Sequence, residues 1–337
     1  MREAEAKYLV RRADDIAAVL QKIVPSGGRL RERGAATHTD TYYDTGDWAI
    51  YRSGWVCRCR EHNGGRKLML KSFGTQNSCV FVREELEQPL PDGIDPGRHA
   101  LPAGPVRERL ETLVGRRRRH ALFTVRTLRS VFELGLPGGQ QFELDVDHVT
   151  VGMTKGKQSS PRELSYVELE IELKEGRVRD LRKLSRRLDG MPGVVPARLS
   201  KFDRGLRAAG LSVVADDDAA LTPPGSGRQS FPDLVHAYLA RRVASLERNV
   251  PVAWEGLDPE GVHKMRVSIR RIRAILAALS DLFTGPRYAG LDAELRWLGR
   301  QLGGPRDADI CARHAESCIA ALPAAAAAAA APYANFL

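Results

Sequence analysis

Over roughly the first two hundred residues, apolar and polar side chains alternate with the period of two expected of strands that have one face against a core. Segments 2–12, 37–44, 54–61, 66–72, 79–89, 119–135, 140–152 and 163–174 carry this alternation and are rich in β-branched and aromatic residues. Turn sequences such as Asn63-Gly64-Gly65 and Pro137-Gly138-Gly139 separate several of them. Helical spacing fits 13–23, 105–114, 177–189 and 198–209. Eight such strands predict a closed antiparallel barrel.

Residues 211–229, with Asp216-Asp217-Asp218 followed by Pro223-Pro224-Gly225-Ser226-Gly227, have the composition of a linker. Beyond it the period becomes helical, over 234–250, 261–282 and 291–302, with a further short helix from Asp307. The expected organisation is therefore α+β: a strand-built domain over 1–210, a linker over 211–229 and an all-α domain over 230–322. Eight alanines at 324–331 mark 323–337 as a low-complexity tail.

Charge sharpens this picture. The 337 residues carry 52 Lys and Arg against 42 Asp and Glu, a net charge of +10. Residues 1–210 hold 38 of the former and 28 of the latter, so the strand domain alone accounts for the excess, and a polyanionic partner follows. No apolar run reaches the roughly 18 to 20 residues of a membrane span, and the charged start lacks the apolar stretch of a secretory signal, so a cytoplasmic protein without membrane attachment is expected. The five cysteines match no zinc spacing and read as reduced core thiols; the eight histidines form no metal motif.

Where charge sits within the strands matters more than how much there is. Glu3, Glu5 and Lys7 share one face of the first strand. Glu168, Glu170 and Glu172 repeat the arrangement, backed by Val167, Leu169, Ile171 and Leu173. Carboxylates about 6 to 7 Å apart repel one another unless cations intervene, and oxygen-rich sets of this kind suit Mg²⁺ or Mn²⁺. Arg58 and Arg60 share a face, Lys71 ends a strand, and Arg83, Glu85 and Glu87 alternate in the next. Arg126, Asp147 and Lys201 complete the set. Strand after strand thus places charge on one face and apolar residues on the other, which implies a barrel whose interior is charged. Burying so many charges requires that acids and bases compensate each other and that a metal-bound polyanion complete the balance.

In this order, Glu3-x-Glu5-x-Lys7, Tyr42-Tyr43-Asp44-Thr45, Arg58-x-Arg60, Lys71, Arg83-x-Glu85-x-Glu87, Arg126, Asp147, Glu168-x-Glu170-x-Glu172 and Lys201 resemble the CYTH domain of the triphosphate tunnel metalloenzymes. The resemblance implies an eight-stranded antiparallel tunnel and metal-dependent hydrolysis of inorganic triphosphate. It implies that Glu3, Glu5, Glu168 and Glu170, with Glu172 beside them, hold Mg²⁺ or Mn²⁺. Lys7, Arg58, Arg60, Lys71, Arg83, Arg126 and Lys201 would cradle the phosphates. Glu85 and Asp147, with Lys7 and Arg126, would act on the attacking water and the transferred group. Hydrolysis of thiamine or nucleoside triphosphates, and adenylate cyclisation, are open to the same tunnel.

In the helical part, His263, Arg266, Arg270 and Arg273 fall within about 80° of arc at 100° per residue, opposite Met265, Ile269, Ile272, Leu276 and Leu279. With Leu302-Gly303-Gly304-Pro305-Arg306-Asp307-Ala308-Asp309, this helix resembles the CHAD domain, and the resemblance implies inorganic polyphosphate bound along its basic face. The expected CHAD module is incomplete, as in a short form or a fragment. A noncatalytic polyphosphate receptor is the rival reading; no motif for specific nucleic-acid binding is present, although Arg116–Arg119 is a basic run.

Overall fold

In the computed structural model, residues 2–77, 80–98, 100–153, 164–211, 230–283 and 285–323 are described, together with 326 and 329. Most of the expected linker and tail lie outside them. The chain divides into two units, Met1–Val213 and Val214–Leu337.

The first unit is built on ten strands: β1 (Arg2–Val10), β2 (Arg29–Thr45), β3 (Trp55–His62), β4 (Gly65–Ser72), β5 (Thr75–Asn77), β6 (Val80–Pro89), β7 (Arg119–Gly135), β8 (Gln141–Met153), β9 (Leu164–Glu175) and β10 (Val194–Pro196). Pairing runs β1-β9-β8-β7-β2-β3-β4-β6, and β6 returns to β1 with Arg83 opposite Glu3, closing an eight-stranded antiparallel barrel. β10 and β5 are short flanking strands on β1 and β6. The hairpin between β3 and β4 turns through Asn63 and Gly64, both at positive φ, the geometry that matches strand twist in a two-residue loop.

The barrel wears its apolar core on the outside. Ala6, Tyr8, Leu134, Leu144, Val146, Leu169 and Ile171 point outward and are covered by α1 (Ile16–Ile23) through Val19 and Ile23, and by α4 (Val178–Ser185) through Leu181 and Leu184. On another side, Cys57, Cys59, Leu68 and Leu70 pack under α2 (Ala49–Arg52) and α3 (Pro105–Val114) through Ile50, Val106 and Leu110. Each fully buried side chain of this size contributes roughly 1.5 to 3 kcal/mol, so the helices hold the barrel from outside and leave its interior to charge.

Helix α5 (Lys201–Ala208) packs onto β7 and closes part of the interior with apolar contact. Phe202 lies against Phe123 at 5.7 Å and Tyr42 at 5.4 Å between ring centroids. The approach is close enough that a Cβ on Gly205 would stand 2.0 Å from Phe123.

The second unit holds α6 (Phe231–Glu255), α7 (Glu260–Ala278), α8 (Pro286–Gln301) and α9 (Gly303–Ala320). Its apolar centre is Ile269, Ile272 and Leu295, with Leu239, Leu246, Leu276, Leu298 and Leu302 against them. Among the described residues no helix is long and apolar enough to cross a membrane.

The strands run longer than their alternation indicates at one place. β2 begins at Arg29, not near 37, because residues 29–36 pair with β7 along an extension whose side chains are mostly exposed, so backbone pairing rather than an apolar face sustains it. Cys57 and Cys59 are buried as expected, whereas Cys311 and Cys318 on α9 are exposed thiols and not part of a core. They lie within α9, on a face open to solvent.

Gly205→Val is expected to destabilise the first unit by about 1 to 3 kcal/mol by driving a side chain into Phe123. Thermal melting would show it, and an unchanged melting temperature would mean that α5 is free to back away.

Candidate active site: a charged cavity in the barrel

Register lines the inward charges up in rows. Arg129, Asp147 and Glu168 stand opposite one another across β7, β8 and β9. Two residues further along, Asp145, Glu170 and Lys7 form the next row across β8, β9 and β1, and then Glu143, Glu172 and Glu5. On the far wall Asp40 faces Arg60, Tyr42 faces Arg58, and Lys71 faces Glu85. These walls enclose a cavity of about 840 Å³. Nine Lys and Arg side chains and seven carboxylates line it, among them Glu5, Lys7, Arg58, Arg60, Lys71, Arg83, Glu85, Glu87, Arg129, Asp145, Glu170, Glu172 and Lys201.

The charges are matched in detail. Lys201 Nζ donates to Glu168 at 2.6 Å and Glu170 at 2.7 Å and lies 2.9 Å from Asp147. Arg129 reaches Asp147 through Nε at 2.7 Å and Nη2 at 2.6 Å, Glu170 at 2.7 Å, and Asp145. Lys7 donates to Glu170 and sits 3.3 Å from Glu5, which also accepts from Arg83. Behind them Arg204 donates to Glu168 at 2.5 Å. On the opposite wall Arg60 donates twice to Asp40 at 2.8 Å and Arg58 once at 3.1 Å, while Lys71 meets Glu85 at 2.8 Å.

These pairings set the ionisation states. Burial opposes the charge on Glu170, but Lys201, Lys7 and Arg129 together hold its carboxyl well below the ordinary range. Asp147 is also lowered: burial is overcome by Lys201 and Arg129. Asp145 goes the other way. Burial pushes it up to about 7, and Glu170 and Asp147 add to the rise while Arg129 opposes it. Asp40 is fully buried yet held low by Arg58 and Arg60. His38 beside it is driven down to about 3 by burial and by Arg60, and stays neutral.

Most of the residues singled out in the sequence come together here. Lys7, Arg58, Arg60, Lys71, Arg83 and Lys201 line the cavity, as do Glu5, Glu85, Glu170 and Glu172. Glu168 and Asp147 are fully buried behind its wall and reach it only through Lys201 and Arg129. Glu3 is placed by its backbone in β1; its side chain lies outside the described residues. Arg126 is a correction: it points outward and is exposed, because the inward positions of β7 are Phe123, Val125, Thr127 and Arg129, and Arg129 takes the place in the cavity that Arg126 was expected to fill.

Asp40, Asp145, Arg129, Arg198 and Arg204 were not singled out. For Asp40 a signal existed: His38, Asp40 and Tyr42 share one parity in β2. In the second unit two of the four residues in the basic arc of α7 are engaged by α8. Arg266 donates to the Gly299 carbonyl at 3.2 Å and Arg273 to Asp292 at 2.8 Å, His263 is half-buried, and Arg270 is exposed. The basic face expected to bind polyphosphate is therefore a helix contact over part of its length.

The buried acidic group is already neutralised by an ammonium, so a cation would find its donors among the carboxylates that reach the cavity, Glu170 and Asp145 above all. Oxygens of Asp147, Glu168 and Glu170 lie within 4.8 Å of one another, the one group of three or more potential metal ligands among the described residues. Lys201 Nζ holds their centre. On the cavity side, Asp145 Oδ1 is buried with no hydrogen-bond partner beside Glu170. All the donors are hard oxygens of the kind that Mg²⁺ and Mn²⁺ take.

The chain belongs to the CYTH family, whose model matches residues 1–205, and the CHAD domain model matches 237–336. The expected CYTH–CHAD order is thereby found. No curated protein matches the chain. Similar solved structures include a Hippeastrum protein assigned as an adenylyl cyclase and described as having a dominant triphosphatase activity, at 20% identity and TM-score 0.43 over 62% of this chain and 97% of that one. A Bacillus halodurans protein assigned as an adenylate cyclase has 15% identity and TM-score 0.35, over 64% and 94%. The mimivirus capping-enzyme triphosphatase has 12% identity and TM-score 0.30, over 54% and 85%.

Two outcomes follow from the charge pairing. Asp40→Ala leaves Arg58 buried without its carboxylate and is expected to cost about 3 to 5 kcal/mol in urea unfolding; a cost under 1 kcal/mol would mean water reaches the guanidinium. Because the folded value of Asp145 is raised, its contribution to stability is complete below about pH 4 and is lost as pH rises through about 7. Asp145→Asn should therefore flatten the decline in melting temperature between those limits, and an unaltered decline would assign it to other groups.

Proposed function

We propose that the cavity is the active site of a metal-dependent inorganic triphosphatase, which splits triphosphate into pyrophosphate and phosphate by attack of water on a terminal phosphoryl group. The observation that carries this reading is the ring of cations on the cavity wall. Lys7, Arg58, Arg60, Lys71, Arg83, Arg129 and Lys201 converge on one space, fixed by carboxylates behind or beside them. Forked guanidinium groups bind phosphate oxygens in pairs, and ammonium groups add point charge.

The lining has two positive charges in excess, fewer than the negative charges of a triphosphate, and a bound divalent cation would reduce the difference. Glu170 belongs both to the buried acidic group and to the cavity wall, so it would hold the ion, with Asp147 and Glu168 behind it and Glu5 and Glu172 alongside. Bound Mg²⁺ or Mn²⁺ would lower the pKa of a water ligand and screen the phosphate charge.

The protein's own groups do the rest. Arg58 and Arg60, locked by Asp40, would hold phosphoryl oxygens in fixed positions, so that charge on the transferred group is met without reorganisation. Lys7 and Arg129 would face the leaving pyrophosphate or the terminal group from the acidic wall. Glu85, which faces Lys71 and Arg58, would accept a proton from water. Asp147 acts through Lys201 and Arg129 and positions them.

Phosphate release from triphosphate, ATP and long polyphosphate, with and without Mg²⁺ or Mn²⁺, tests this reading. Turnover of triphosphate should need the metal and should fall at least about 100-fold in Glu170→Gln. Tight polyphosphate binding with no turnover of any substrate would replace the enzyme with a receptor.

A further inference from the structure

The two exposed thiols of α9 take no part in the barrel or its cavity. Cys311 and Cys318 lie on this helix with His314 between them, and all three side chains are open to solvent. At 100° per residue the three fall within about 60° of arc, so one face of the helix carries two sulfurs and an imidazole.

Within that face the pairs are not equivalent. Residues four apart on a helix stand one above the other, the relation that lets the two histidines of an HExxH helix share one zinc ion. His314 and Cys318 have this spacing, and His314 Nε2 lies 3.7 Å from Cys318 Sγ. Two ligands of a tetrahedral zinc ion, one nitrogen at about 2.0 to 2.1 Å and one sulfur at about 2.3 Å, stand about 3.5 Å apart. The two atoms are therefore close to the separation that a shared ion imposes, and their exposure leaves them free to turn onto it. Cys311 is seven residues from Cys318, about 10.5 Å along the axis, too far for both sulfurs to meet the same ion.

We propose that His314 and Cys318 form a surface site for a thiophilic divalent cation, Zn²⁺ being the common one, with water in its remaining positions. Thiolate and imidazole select such ions, whereas the barrel cavity offers carboxylate oxygens, the donors that Mg²⁺ takes. The site is thus distinct from the cavity in place and in ligand chemistry, and it stands or falls independently of the triphosphatase reading. Only the thiolate binds, so each ion taken up releases the thiol proton to solvent. A bound ion links two successive turns near the end of α9.

Titration of the full chain with Cd²⁺ or Co²⁺ tests this, with a phosphine reductant and saturating Mg²⁺ present. The readout is thiolate-to-metal charge-transfer absorbance, which carboxylates in the barrel do not give; Cys57 and Cys59 are buried. Wild type should bind one ion per chain. Cys318→Ser should abolish the band, and His314→Ala should weaken binding at least about tenfold, because a second ligand on the same ion acts at high effective concentration. Cys311→Ser should leave the band and the affinity unchanged. All three substitutions fall at exposed positions, and far-ultraviolet circular dichroism checks that helix content is kept. Half an ion per chain, with both losses retained, supports the two ligands and makes a second copy of the chain the source of the other two. No band in the wild type overturns the site, as does a band that survives Cys318→Ser. An equal loss in Cys311→Ser, or undiminished affinity in His314→Ala, overturns it too.

Discussion

A closed barrel with its charges turned inward is stable only if each charge finds an opposite one within the wall. Isolated ions in such a space would be expelled or neutralised by protonation. Everything else in the first unit follows from that constraint. The rows set by strand register put Arg129 beside Asp147, and Lys7 beside Glu170. Lys201 comes from outside the sheet to finish the balance among Asp147, Glu168 and Glu170. Asp145 is the remainder, the carboxyl for which the shared Arg129 is not enough.

The same constraint decides where the hydrophobic effect operates. Since the interior is given to ions, apolar burial has to be found on the outer surface, and α1, α3 and α4 supply it. The cavity is therefore stiffened from behind, by packing that never touches a ligand. Asp44 and Asp40 show two uses of one residue type four residues apart on β2: Asp44 ties down the backbone of α2, and Asp40 orients two guanidinium groups.

Much of this was legible in the chain, because a period of two with charge on one parity specifies both the strands and the direction of their side chains. Glu5, Lys7, Arg58, Arg60, Lys71, Arg83, Glu85 and Glu170 could be placed on that ground. The rule failed on β7. There the inward parity holds Phe123 and Val125 at the plugged part of the barrel before it reaches Arg129, so apolar residues no longer mark the outside and Arg126 took the wrong sign. Asp40 was missed because burying one carboxylate between two arginines is a property of three strands at once, and no single strand displays it. Which arc of α7 faces another helix depends on α8, which the wheel of α7 does not contain.

The position of Lys201 on the last helix of the first unit has a consequence for how the barrel comes into being. Until residue 201 has been synthesised and α5 has docked, Asp147, Glu168 and Glu170 face one another without the ammonium group at their centre. The sheet can form its hydrogen bonds before that moment, but the acidic wall stays under mutual repulsion. Completion of the cavity, as distinct from closure of the sheet, is then tied to the docking of α5.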